Sequence, residues 1–165
     1  MSDHERVALY PGTFDPVTYG HLDIAERCVR HFDRLIMAVA SNPSKQPLFS
    51  VEERLGLLRA VAGEIPRVEV DTFEGLTVAY ARARGAAVIV RGLRAVSDFE
   101  EEFKMASANR RLAPEIDTVL MVPSEKYYYL NSSLVKEIAR LGGRVNFFVP
   151  PPVEEALAAK LGAAR

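Results

Sequence analysis

Five short apolar runs, each followed by a polar turn and then a helical pattern, restrict this chain more than any other feature. They are residues 6–10, Leu35 to Ala40, Arg67 to Asp71, Ala86 to Val90 and Asp117 to Val122. The second, LIMAVA, is apolar throughout, as a strand covered on both faces requires, whereas RVEVD alternates and reads as a strand nearer an edge. Between them, Leu22, Ala25, Cys28, Val29 and Phe32 recur at helical spacing, which predicts a helix from residue 21 to about His31. Ser50 with Glu53 forms a capping box ahead of Leu55, Leu58 and Val61. A shorter helix spans Leu76 to Arg84 and stops at Gly85. Ser97 with Glu100 predicts a second capping box, opening a helix that runs to about Leu112. The last two helices run from about Ser132 to Leu141, before Gly142-Gly143, and over about 151–161 behind Pro150 to Pro152. Strand and helix alternating over residues 1–165 predict one α/β domain, a doubly wound five-stranded parallel sheet.

Such a sheet binds ligands beyond the carboxyl ends of its strands, where the strand order switches. That rule selects the stretch YPGTFDPVTYGH, Tyr10 to His21. The first strand feeds a turn of Pro11, Gly12, Asp15 and Pro16, and a helix then presents its first backbone N–H groups to whatever lies in the crevice. Thr13 and Thr18 add hydroxyls, and Gly12 and Gly20 permit close approach of a ligand to the backbone. The loops after strands one, two, four and five are expected to converge. They bring Thr13 and His21, then Lys45, then Arg91 and Arg94, then Tyr127 to Ser133, the residue types that hold phosphates.

Charge sharpens this reading. With 21 Lys and Arg against 22 Asp and Glu, the net charge is −1, so an anionic ligand must be met by locally placed cations and not by a global field. No basic stripe or aromatic platform supports nucleic-acid binding. No apolar run approaches the ~20 residues of a membrane span, and the start MSDHERV has no signal-peptide core. The sole cysteine, Cys28, falls in a helical apolar stripe and reads as packing; together these features predict a cytoplasmic protein.

Each candidate residue has a plainer role to be weighed. A solitary histidine in TYGH also caps helices, but after the first strand its imidazole is placed to donate to a phosphoryl oxygen, aided by the helix dipole. Lone arginines are mostly solvated; two flanking a glycine in RGLR, directly after a buried strand, suit phosphates because planar guanidinium forks chelate oxygens. Lys45 rests on its position after strand two. Glu100 and Glu101 read as ordinary dipole complementation, and the three histidines have no metal-ligand spacing. Tyr127 to Tyr129 either pack or flank a base. The chain lacks GxSxG, GxxxxGK[ST] and GxGxxG, which removes covalent serine, P-loop and dinucleotide readings.

Taken in order, GTFDPVTYGH, SNPSKQPLF, RGLRAVSDFEEE and NSSLVKEIAR closely resemble the phosphopantetheine adenylyltransferase family of the nucleotidyltransferase superfamily, marked by [HT]xGH and a later serine-rich motif. The match runs from about residue 6 to 161. Thr18 takes the first superfamily position, Asn131 stands where a serine is common, and Tyr127 where a tryptophan often occurs. The resemblance implies a Rossmann-like nucleotidyltransferase fold and reversible transfer of AMP from ATP to 4′-phosphopantetheine, giving dephospho-CoA and pyrophosphate for coenzyme A biosynthesis. It implies His21, Lys45 and Arg94 as catalytic groups. ATP is expected against Thr13, Phe14, His21, Gly92, Leu93, Arg94 and Glu102, and along Tyr127, Tyr128, Tyr129, Leu130, Asn131, Ser132 and Ser133. Thr13, Lys45, Thr77 and Arg91 match phosphopantetheine positions, and Leu76, Asn109 and Glu137 further pocket positions. Mg²⁺ entering with ATP, no protein-held metal, and a homohexamer are also implied, and inhibition by CoA in the same site is left open.

The expected chemistry is in-line attack by an acceptor phosphate oxygen on the α-phosphorus of ATP, without a covalent intermediate. That oxygen is anionic at neutral pH and needs no general base. Alignment by Lys45 and Thr13, with His21 meeting the developing charge, would supply the catalysis. Two rivals stand beside it. One is a related transferase acting on nicotinamide mononucleotide or glycerol phosphate; the other is a non-catalytic nucleotide sensor on the same fold.

Overall fold

The computed structural model describes residues 5–41 and 46–162. Strands β1 (Val7–Gly12), β2 (Arg34–Ser41), β3 (Val68–Glu74), β4 (Val88–Gly92) and β5 (Asp117–Met121) form one parallel sheet in the order β3-β2-β1-β4-β5. Helices α1 (Tyr19–Cys28), α2 (Val51–Ala62), α3 (Thr77–Ala83), α4 (Val96–Leu112), α5 (Ser132–Arg140) and α6 (Pro151–Leu161) connect and flank it. The expected doubly wound architecture is therefore present, with the alternating run on an edge strand that starts at Val68, one residue later than expected because Arg67 takes φ of +66°, and continues to Glu74.

The continuous apolar runs feed two cores at once because successive strand side chains face opposite ways. Ala8, Tyr10, Leu35, Met37 and Val39 pack on one face with Ala25, Cys28, Leu58, Val135 and Leu157 of α1, α2, α5 and α6. Val7, Leu9, Ile36 and Ala38 pack on the other with Val78 and Ala81 of α3 and with Ile89, Ala113 and Ile116. Both faces of β1 and β2 are buried, so an unbroken apolar stretch is what these strands need.

Several boundaries differ from expectation for identifiable reasons. Helix α1 starts at Tyr19, two residues early, because Thr18 is its N-cap; past Cys28 the chain leaves α-geometry in a turn closed by Arg30 N–H to Arg27 and His31 N–H to Cys28 carbonyls. The Ser50–Glu53 box forms as predicted, with reciprocal hydrogen bonds of 3.2 and 2.8 Å. The Ser97–Glu100 box does not. Helix α4 begins at Val96 behind Ala95, which has no side-chain cap, so Ser97 lies within the first turn. Gly85 and Gly142 take φ of +68° and +77°, which explains why α3 and α5 stop where they do.

The switch in strand order lies between β1 and β4. These strands pair only at Ala8–Val88 and Leu9–Ile89, while β1 pairs with β2 as far as Gly12–Val39. Pro11, which has no N–H to offer, sits beyond the last β1–β4 pair. Its carbonyl accepts instead from Arg91 Nη1 at 2.8 Å. The two strands part there, and the gap opens into a cleft bordered by the ends of both.

Candidate active site

The cleft has a volume of about 720 Å³, within the range of small-molecule sites. Its walls come from the segments after every strand: Thr13, Phe14 and His21 after β1, Ala40 at the end of β2, Thr77 after β3, Arg91, Gly92, Arg94 and Glu102 at and beyond β4, and Tyr127 with Leu130 to Ser133 after β5. The predicted convergence is realised for these residues. Lys45 lies outside the described residues.

His21 is both a cap and a cleft residue. The Thr18 N–H donates to its Nδ1 at 3.0 Å, and Thr18 Oγ1 lies 3.1 Å from the same nitrogen. A backbone N–H can only donate, so Nδ1 carries the lone pair and Nε2 carries the proton. Burial, followed by the charges of Arg94 and Arg91, lowers the pKa to about 3. The imidazole is thus a neutral donor at physiological pH, held edge-on to Phe14 with ring centroids 5.0 Å apart.

Both arginines of RGLR are paired with α4. Glu102 grips Arg91 through two hydrogen bonds of 2.8 and 2.9 Å. Asp98 accepts from Arg94 Nε at 3.0 Å, and Arg94 Nη1 reaches the Leu130 carbonyl at 3.4 Å. Burial opposes the charge of Arg91, but the hydrogen bond and charge of Glu102 hold its pKa above the usual value. The guanidiniums keep N–H donors for a ligand while their formal charges are balanced by neighbouring carboxylates. Glu100 and Glu101 are exposed and pair with Lys104; because α4 starts at Val96, the first-turn acid that complements the helix dipole is Asp98, not these two as expected.

At the far wall, Asn131 is the N-cap of α5: its Oδ1 accepts from the Leu134 N–H at 2.8 Å, which leaves its amide N–H₂ as the donor group. Ser132 Oγ donates to the Pro16 carbonyl at 2.7 Å and so ties α5 to the turn after β1. Tyr127 stacks on Tyr19 at 6.1 Å, so packing and cleft lining are combined in one ring. Gly12 answers to the protein itself: a Cβ there would meet the Phe14 ring at 3.0 Å. Gly20 is less constrained, since a Cβ would make only ordinary contacts from 3.5 Å.

A cytidylyltransferase-like family model matches residues 9–138. A phosphopantetheine adenylyltransferase of Desulforudis audaxviator (strain MP104C) is 53% identical over 157 residues, 95% of this chain and 96% of that protein. One of Caldanaerobacter subterraneus subsp. tengcongensis is 56% identical over 155 residues, 94% of this chain and 97% of its own length. One of Roseiflexus sp. (strain RS-1) is 59% identical over 151 residues, 92% and 94% of the two chains. The chain belongs to the phosphopantetheine adenylyltransferase family.

Not every position carried over from that family borders the cleft. Leu93, whose N–H donates to the Met121 carbonyl at 2.9 Å, does not line it, nor do Leu76, Asn109 and Glu137. Asn109 is buried in α4 and Leu76 is the exposed N-cap of α3. Tyr128 and Tyr129 are half exposed and border a more open hollow with Ser124, Glu125 and Lys126.

Two buried charged residues that frame this adenylyltransferase cleft had drawn no functional reading from the sequence. Asp15 accepts from the Leu48 and Phe49 N–H groups, both at 2.9 Å, and from Lys136 Nζ at 2.7 Å. Burial alone would raise its pKa, but these hydrogen bonds and the Lys136 charge outweigh it and hold the carboxyl below the usual value. Arg54 donates to the carbonyls of Thr13, Ala40, Phe49 and Ser50. An Asp-Pro pair looks like any turn. A cation in the first turn of a helix, however, opposes the helix dipole and is a legible anomaly. The Asp98–Glu102 spacing of four, facing arginines three apart, is a second such signal.

Proposed function

We propose that this protein transfers the adenylyl group of ATP to 4′-phosphopantetheine, forming dephospho-CoA and pyrophosphate. The observation that carries the reading is the gathering of His21, Arg91, Arg94, Thr13 and the start of α5 around one cleft at the carboxyl ends of the strands. The names of the relatives supply the acceptor, and the SNPSK and RGLR segments match that branch of the superfamily.

The triphosphate lies across His21 and the α5 N-terminus, where backbone N–H groups and the Asn131 amide donate to its oxygens. Arg91 and Arg94 contribute directed N–H groups more than net charge, because Glu102 and Asp98 balance them. An acceptor phosphate oxygen attacks the α-phosphorus in line. The P–O bond to the β-phosphate breaks, and the Nε2–H of His21 meets the charge that develops on the α-phosphoryl oxygens. His21 exchanges no proton. Thr13 and Lys45 orient the acceptor, and Thr77 lines the same cleft as Thr13.

Mg²⁺ is read as arriving with ATP. Among the described residues no group of three or more His, Cys, Asp or Glu could hold a metal, and the carboxylates of Glu102 and Asp98 are taken by arginines. A Mg²⁺ ion bound with ATP would offset part of the negative charge of the triphosphate. No described helix is long and apolar enough to cross a membrane. A reducing cytoplasm suits the buried Cys28 thiol, whose pKa burial raises to about 12. A homohexamer and CoA binding in the same cleft complete the reading.

Incubation of the purified protein with ATP, Mg²⁺ and 4′-phosphopantetheine is expected to yield dephospho-CoA by mass and equimolar pyrophosphate. Product only with nicotinamide mononucleotide or glycerol phosphate would transfer the assignment to a sister activity. ATP binding without pyrophosphate from any acceptor would make the protein a sensor.

A further inference from the structure

Arg54 is placed where local rules disfavour a cation. It lies in the first turn of α2, at the positive end of the helix dipole, and is only 3% exposed. Among the described residues no carboxylate forms an ion pair with it. Its guanidinium instead donates to four carbonyls: Thr13 at 2.8 Å, Phe49 at 3.1 Å, and Ala40 and Ser50 both at 3.3 Å. These carbonyls belong to the turn after β1, the end of β2 and the start of α2. Thr13 and Ala40 line the cleft; Arg54 stands behind them.

The contact with Thr13 has a directional consequence. The Thr13–Phe14 peptide is trans, so its carbonyl and its N–H point to opposite sides. With the carbonyl turned to Arg54, the Phe14 N–H is turned away from Arg54, on the side where Thr13 and Phe14 bound the cleft. Among the described residues that N–H has no acceptor. Phe14 also holds φ at +47°, a conformation that a bulky residue keeps only when its surroundings impose it. Its ring is wedged against Tyr10 and His21 at centroid distances of 5.5 and 5.0 Å. One side of the turn is thus fixed by aromatic packing and the other by Arg54.

We propose that Arg54 is a positioning residue for adenylyl transfer: by holding the Thr13 carbonyl it aims the Phe14 amide into the cleft as a hydrogen-bond donor to a phosphoryl oxygen. This rests on the nucleotide reading of the cleft. Asp15 reinforces the arrangement, because residue Phe49 donates its N–H to Asp15 while its carbonyl accepts from Arg54. Lysine keeps the charge of Arg54 but lacks the planar fork that serves carbonyls from three segments together.

The test compares wild-type protein with Arg54→Lys and Arg54→Gln by steady-state kinetics, thermal melting and hydrogen–deuterium exchange of the peptide containing Phe14. Mg²⁺–ATP should slow exchange at the Phe14 amide in the wild type and slow it much less in R54K. R54K should lose about 10–100-fold in kcat, with the KM of each substrate changed less than about threefold and with the folded fraction retained. The inference is overturned if R54K keeps wild-type kcat, if activity falls only in proportion to the folded fraction, or if both variants fail to fold. It is overturned equally if ATP leaves Phe14 exchange unchanged in the wild type. Wild-type protein that shows ATP protection at Phe14 but forms no dephospho-CoA would instead remove the acceptor assignment, and the exchange comparison would still decide the role of Arg54.

Discussion

Thr18 and His21 bind each other across the first turn of α1, with the Thr18 N–H donating to the His21 Nδ1 at 3.0 Å. This one contact sets the tautomer, and the pKa of about 3 sets the charge. Nitrogen-15 shifts of the His21 ring are expected to report the Nε2–H tautomer unchanged between pH 8 and 5. A titration near 6.5 would overturn the assignment. The linkage has a definite sign. Below about pH 6.5 the unfolded chain protonates this histidine while the folded protein does not, so stability falls as pH drops from 6.5 toward 3. A His21→Gln variant should lose that part of the slope.

His21→Ala removes a transition-state donor and a helix cap together, and the two losses separate by measurement. The missing donor should lower kcat by ~10²–10³ with smaller changes in KM. The missing partner for the Thr18 N–H should cost about 0.5–2 kcal/mol of stability in denaturant titration. An unchanged kcat would leave His21 as a cap alone.

The architecture was legible because covered strands need unbroken apolar runs, and LIMAVA can serve little else. His21 and Arg91 were legible because topology sends every βα turn to one end of the sheet. Asp15 and the targets of Arg54 were not, because both act through partners distant in sequence: Asp15 meets Lys136 and Arg54 meets Thr13. Spacing within one element cannot report such pairs. The start of α4 was misplaced by a matching Ser-x-x-Glu pattern, although the first helical residue is Val96. Family likeness carried over Tyr128, Tyr129 and Asn109 by their position relative to the motifs, and local geometry sets them off the cleft wall.

Asp15→Asn tests the frame behind the site. The Asp15–Lys136 pair is nearly buried, with side chains 4% and 18% exposed. Removing one charge strands the other, at a cost of about 3–5 kcal/mol. That is a drop of roughly 6–20 °C in Tm for a domain of this size. Because the folded pKa of Asp15 lies below the usual carboxylate value, its contribution is present at neutral pH and is lost as pH falls through that lowered value. Wild type and D15N should therefore differ most near neutrality and converge in acid. Equal melting at pH 7 would show that the pair does not hold these loops.

The outer face of α4 gives the last test. Val96 is 90% exposed, and Phe99 and Phe103 follow at helical spacing on the same side, their rings stacked at 5.8 Å. A stacked aromatic pair in water stabilises little until another surface covers it, and contiguous apolar area of this kind marks an interaction face. With a homohexamer as the expected assembly, light scattering should give a mass six times the 18.3 kDa of one chain. Phe103→Glu places a charge in the middle of this face and should reduce the assembly to smaller species. The Arg91–Glu102 pair stays in place one residue away, so ATP binding should persist in the dissociated protein, as isothermal titration would show. A wild type of 18.3 kDa, or an F103E variant of undiminished mass, would exclude this face from assembly.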